Sequence, residues 1–244
     1  GGPFGGRFFG HLDLPRMARA GLSGAMWSIT TNIARRQAGR WRWFLKNVEA
    51  MRDVVARSDG ALTFARTLSE YRAARANGQH AVLLAVQGGN AFDGGAVADA
   101  PDDLITRVTV VHLTDSALGA TSSPLRLPWR GTGLTPAGEA FVEQLNAARV
   151  FVDLAHIHPD GFWRALDVHA PDLPPIVTHT GVDGVHPHWR NLDDAQIKAI
   201  ADRGGVVGIM IHQAFLGRPA DLDQVVRHLD HVVQVGGEGA VALG

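Results

Sequence analysis

Short apolar runs alternate with stretches of helical periodicity along most of the chain. Runs at 25–29, 81–86, 108–111, 150–154, 175–178, 206–211 and 240–243 are rich in Val, Ile, Leu and Ala, as strands buried on both faces are. Between the first two, Phe44, Val48, Met51 and Val55 recur at i, i+4, i+7 and i+11, which predicts a helix over 32–58, broken by Asp59-Gly60. Phe64, Leu68 and Tyr71 predict a second helix over 63–76, ended by Asn77-Gly78. Thr135-Pro136 is a helix start, with Thr as N-cap and Pro in the first turn, and Phe141, Val142 and Leu145 follow on one face. Asp193 and Asp194 open a helix with Ile197 and Ile200 that closes at Gly204-Gly205, and a last helix over 222–235 stops at Gly236-Gly237. The glycine-rich 1–10 segment and the long 115–134 stretch, which bears Trp129 and Arg130, read as loops.

Persistent strand–helix alternation predicts an α/β fold with a parallel sheet, and the length suits one (β/α)8 TIM barrel of about 250 residues. A single domain over 1–244 is expected, since no repeat or low-complexity linker interrupts the pattern. The first residue is not Met, and Gly244 follows directly on an apolar run. The expectation is therefore a barrel lacking its first strand and its C-terminal end.

Composition narrows the partners. The 244 residues carry 23 basic and 24 acidic side chains, a net charge of −1, so no bulk field favours nucleic acid or an anionic membrane. No apolar run approaches the roughly 18 residues of a membrane span. The absence of cysteine excludes disulfides, thiolate metal sites and cysteine nucleophiles, and favours a cytoplasmic location weakly. With 12 histidines, a transition-metal site here must use imidazole and carboxylate.

In a parallel barrel the functional groups sit at the C-terminal ends of strands. Those positions hold Gln87, His112, His156, His179 and His212, and Arg190 follows in the loop after His179. Four histidines at five strand ends point to a metal centre. His158, His169, His186 and His188 fall in helices or loops, His228 and His231 share a helix, and His80 precedes a strand at the opposite rim. His11-Leu12-Asp13 has the His-x-Asp spacing of two metal ligands on one face of a strand. It follows a glycine-rich segment rather than a buried run, which argues against that role.

These phrases together resemble the membrane (renal) dipeptidase family, zinc metallopeptidases among the amidohydrolase-like TIM barrels. Asp13-Leu14-Pro15-Arg16 with Gly24-Ala25-Met26-Trp27-Ser28 is similar to the family's D-[LI]-P-R…G-x-x-F-W-S. Gln87-Gly88-Gly89 resembles E-G-G, His112 falls at the histidine of L-T-H, and the 133–138 segment resembles G-L-T-P-x-G. The 152–156 segment resembles V-D-L-S-H, the 178–180 segment S-H-S, Arg190-Asn191 R-N, and the 241–244 segment V-G-I-G. The resemblance implies hydrolysis of a dipeptide-like amide by a metal-activated water, with zinc as cofactor, two ions in the family. It implies that His156 and His179 bind one zinc, that Arg190 holds the substrate's terminal carboxylate, and that His112 contacts substrate and steadies the tetrahedral intermediate. It is also compatible with a homodimer.

Three departures qualify these expectations. The family's metal-binding His-x-Asp lies upstream of its D-L-P-R segment and its proton-shuttling aspartate lies after V-G-I-G, so both are expected outside this chain. His11 and Asp13 are thereby demoted to alternatives, as is His212, and the chain alone is expected to be inactive. Gln87 stands where the family has the glutamate that bridges two zincs. A neutral amide supplies no charge to hold two dications together and binds zinc poorly. One or no ion, and a catalytically impaired, ligand-binding barrel, is therefore the alternative to a working dipeptidase.

Overall fold

The computed structural model describes residues 13–30, 37–124, 131–219 and 221–244. His11, the glycine-rich 1–10 segment, the helix start predicted at Asn32, and Trp129 and Arg130 lie outside them. Among the described residues eight parallel strands form one curled sheet: β1 (Gly24–Thr30), β2 (Leu62–Phe64), β3 (His80–Gln87), β4 (Ile105–Thr109), β5 (Phe151–Asp153), β6 (Ile176–Thr180), β7 (Val206–Ile209) and β8 (Val241–Leu243). The spatial order is β1-β3-β4-β5-β6-β7-β8, with β2 beside β3. Strand β1 takes one edge of β3 along its length, so β2 and β4 share the other, β2 at 80–82 and β4 from Leu84 onward. This is a partial (β/α)8 barrel, open between β1 and β8 among the described residues.

Among the described residues eight α-helices accompany the strands: α1 (Leu14–Arg19), α2 (Gln37–Ala56), α3 (Leu68–Ala76), α4 (Pro136–Ala147), α5 (Pro159–Val168), α6 (Asp194–Ala201), α7 (Gln213–Leu216) and α8 (Leu222–Gly236). Sequence and structure agree most closely where a cap is chemically explicit. Thr135 Oγ1 accepts from Gly138 N at the start of α4, and Asp193 forms a capping box with Gln196 at α6.

The helix predicted over 63–76 is a correction. Leu62–Phe64 is strand β2, paired with His80–Val82, and the helix begins only at Leu68. The i, i+4, i+7 spacing of Phe64, Leu68 and Tyr71 imitated one helical face. The true start is the Thr67-x-x-Glu70 capping box, whose reciprocal bonds are both made. Three strands also stop before the C-terminal ends of their apolar runs: β4 ends at Thr109, β5 at Asp153 and β7 at Ile209.

One continuous core joins the sheet to its helices. Phe44 and Val48 of α2, Phe141 and Leu145 of α4, Phe162 of α5, and Ile197 and Ile200 of α6 are all buried in it. Burial of each such side chain stabilises the fold by about 1.5–3 kcal/mol. Helix α1 packs elsewhere, with Met17 against Leu62 and Val82 near the N-terminal ends of the strands.

Candidate active site

Strands β5 and β6 meet at a single register pair, Asp153↔Ile176, and then splay apart. The Asp153 side chain fills the gap. Its Oδ1 accepts from Ala155 N at 3.1 Å and from Thr178 N at 3.0 Å, doing the work of a ladder carbonyl. Its Oδ2 accepts the hydroxyls of Thr109 at 2.6 Å and Thr178 at 2.7 Å, and lies 3.1 Å from Arg107 Nη1. Arg107 also donates to Thr109 Oγ1 and to Ser28 Oγ, the latter at 2.7 Å. Burial pushes the Asp153 carboxyl up, but Arg107, His179 and the donated hydrogen bonds outweigh it and hold the group below its ordinary value. Both Asp153 oxygens are satisfied by these donors, whereas Arg107 Nε is buried with no partner among the described residues; the pair braces the floor of the site.

Two of the histidines converge above this floor. His179 lies within β6 itself and His156 three residues beyond β5, yet their Nε2 atoms are 2.8 Å apart. His156 reaches there through a left-handed backbone, φ +69°, which costs a non-glycine residue about 1–3 kcal/mol. The strain is held by the 115–124 loop, from which Ser122 N and Thr121 Oγ1 both donate to the His156 carbonyl. The Gln87 side chain, at the end of β3, places Nε2 3.0 Å from His179 Nε2. His112 lies beyond β4, its ring edge-on to His156 with centroids 4.6 Å apart.

Arg190 closes the cluster from the loop after β6. It is 3% exposed, its Nη2 donates to the His179 carbonyl at 2.8 Å, and its own carbonyl accepts from Thr180 Oγ1 at 3.0 Å. The Phe215 ring lies beneath its guanidinium, 5.9 Å from Cζ, and its buried Nε–H has no partner among the described residues. Burial, opposed by Asp153, draws its pKa down to about 10. Burial also lowers the histidines: His112 and His179 fall to about 4, and His156 is held well below its ordinary value, with Arg190 adding to each shift. All three imidazoles are thus neutral at pH 7, the form in which a ring nitrogen keeps a lone pair.

The remaining candidates lie apart. Asp13 caps α1, accepting from Arg16 N at 2.8 Å, at the end of the sheet opposite the histidines. His212, expected at the end of its strand, caps α7 instead, accepting from Ala214 N at 3.3 Å, and its ring lies against Phe215. His228 is fully buried, bonded to Val182 N and the Leu216 carbonyl. His80 is held between Trp27 Nε1 and the Leu22 carbonyl. Among the described residues no three His, Cys, Asp or Glu side chains converge as a metal cage; at the third position of the cluster stands the Gln87 amide.

The family model for the membrane dipeptidases, peptidase family M19, matches residues 7–244. The chain belongs to that family. The solved dipeptidase AC, described as a metallo peptidase, is 28% identical with a TM-score of 0.83, over 98% of this chain and 76% of its own. A Rhodobacter sphaeroides metallo peptidase, solved with a phosphinate mimic of the dipeptide L-Ala-D-Ala, is 26% identical with a TM-score of 0.82, over 98% and 77%. An uncharacterized protein in the pqqA 5'region of Klebsiella pneumoniae is 39% identical over 123 residues, 48% of this chain and 45% of the relative. That match therefore spans less than half of the curated relative. Among the described residues no helix is long and apolar enough to cross a membrane.

Proposed function

We propose that this protein hydrolyses the amide bond of small dipeptide-like substrates with the help of one bound divalent ion, zinc. The observation that carries the reading is the convergence of His156 and His179 Nε2 at 2.8 Å beside the buried guanidinium of Arg190. The donor set suits one ion held by His156 and His179, with water completing its shell, because both imidazoles are neutral and bring their Nε2 atoms within 2.8 Å of each other. It does not suit a closely spaced pair, because Gln87 brings no charge to hold two dications together. When bound, the ion would supply Lewis-acid polarisation of the carbonyl and a more acidic water.

The chain's own groups do the rest. The free Nε–H of Arg190 is a donor that a substrate carboxylate would satisfy, and the planar guanidinium suits that partner. In this reading His112, neutral and edge-on to His156, would hydrogen-bond the oxygen on which charge develops. Asp153 and Arg107 hold the two splayed strands in register beneath.

The second reading, a barrel that binds ligands without turning them over, is favoured by one contact. Gln87 hydrogen-bonds His179 where a bridging carboxylate is expected, so the imidazole is satisfied without an ion. Turnover of mixed dipeptides by the full-length protein, stripped with a chelator and reloaded with zinc, separates the two. Restored turnover supports the hydrolase; stoichiometric ligand binding with no turnover supports the binding barrel.

A further inference from the structure

The reading of His179 as a metal ligand raises a question of hydrogen placement that the floor of the site answers. Every group facing Asp153 is a donor: two backbone N–H groups on Oδ1, and two hydroxyls with a guanidinium on Oδ2. An ionised carboxylate only accepts, so the single proton of the Thr178 hydroxyl points at Asp153. The same Thr178 Oγ1 lies 2.8 Å from His179 Nδ1. With its proton directed at Asp153, that oxygen can only accept, so Nδ1 must carry the imidazole hydrogen. A neutral imidazole has one N–H. Nε2 is therefore bare.

The far side of the ring agrees independently. Gln87 Nε2, an amide nitrogen that only donates, lies 3.0 Å from His179 Nε2, and His156 Nε2 lies 2.8 Å from it. Both contacts are hydrogen bonds only if His179 Nε2 is the acceptor. We infer that Thr178, oriented by Asp153, is a positioning residue that locks His179 in the Nδ1–H tautomer and so presents its Nε2 lone pair to the site. Histidine ligands are commonly oriented by a carboxylate or carbonyl at the second nitrogen; here a hydroxyl stands between the ring and the carboxylate. The same arrangement makes His156 the donor in the pair, so a shared ion requires the His156 hydrogen to leave Nε2.

Nitrogen-15 spectra of the histidine side chains in the chelator-treated protein test this without metal or turnover. The expected result is His179 with a protonated, pyrrole-type Nδ1 and a bare, pyridine-type Nε2. Thr178→Ser should keep that pattern, whereas Thr178→Val should give a mixture of tautomers and weaken cobalt binding by about tenfold or more. A wild-type His179 protonated at Nε2 overturns the inference, whether or not the valine variant folds. So does a folded Thr178→Val protein with an unchanged tautomer and unchanged cobalt affinity. Failure to bind cobalt, with the inferred tautomer present, would count against the proposed function and leave the tautomer assignment standing.

Discussion

Gln87→Glu is the perturbation that most sharply separates a site satisfied by its own hydrogen bonds from one that requires a metal. In the wild type the Gln87 amide donates to His179 Nε2 at 3.0 Å. A glutamate would set a negative oxygen against the same lone pair and remove the donor. In the metal-free protein that change should cost about 1–3 kcal/mol, the usual penalty for leaving a buried polar group unsatisfied. With an ion present the sign reverses. At about 4 Å and an effective dielectric near 20, a carboxylate attracts a unit charge by about 4 kcal/mol, and a dication by about twice that. Desolvating the carboxylate removes several kcal/mol, leaving roughly 3 kcal/mol, or about a hundredfold in affinity. Zinc titration calorimetry, with thermal melts in chelator and in zinc, measures both halves. The variant should melt lower than wild type in chelator and bind zinc about a hundredfold tighter. Zinc affinity within about threefold of wild type would refute the electrostatic argument about position 87.

In the full-length protein Arg190→Ala should raise KM for dipeptides with a free C-terminal carboxylate and leave carboxylate-blocked analogues unaffected; an equal loss on both would show that Arg190 is no carboxylate clamp. Asp153→Asn should destabilise the fold by about 3–5 kcal/mol in denaturant unfolding, because it leaves the buried Arg107 guanidinium without its counter-charge. Pairing it with Arg107→Met should recover part of that loss, and a fully additive double mutant would show that the two groups do not act as a pair. His112 and His179 bind protons less readily folded, near pH 4, than unfolded, near pH 6.5. The unfolded chain therefore binds more protons in that window, and stability in chelator should be full above pH 6.5 and fall towards pH 4. The limiting slope is about 1.4 kcal/mol per pH unit for each histidine, reduced by the exposure of His112. A flat stability profile between pH 7 and 4 would contradict burial of these rings.

The strand-end rule made the histidine cluster legible, and the family phrases fixed its membership, because both depend on local order along the chain. His156, His179 and Gln87 do come together, with His112 and Arg190 beside them. The rule failed at His212, where the strand stops early and the side chain caps the next helix instead. It could not foresee the left-handed backbone of His156, since that conformation is imposed by the 115–124 loop and not by its neighbours in sequence. The Phe64 error has the same origin as the rule's success: period alone cannot choose between a short strand and a helical turn, and only the Thr67–Glu70 capping chemistry decides. The floor of the site lies beyond the reach of that rule, although the sequence carries a signal for it. Arg107 and Asp153 are charges of opposite sign inside apolar strands that prove adjacent, and a charge in such a run needs a buried partner.

The proposed function requires His156 and His179 to hold one divalent ion together. Cobalt titration of the chelator-treated protein, followed by its visible absorption and repeated with His156→Ala and His179→Ala, tests it most directly. Saturation at one equivalent is expected in the wild type, with loss of that band in both variants. A band that survives either substitution, or two equivalents bound tightly by the wild type, would contradict it.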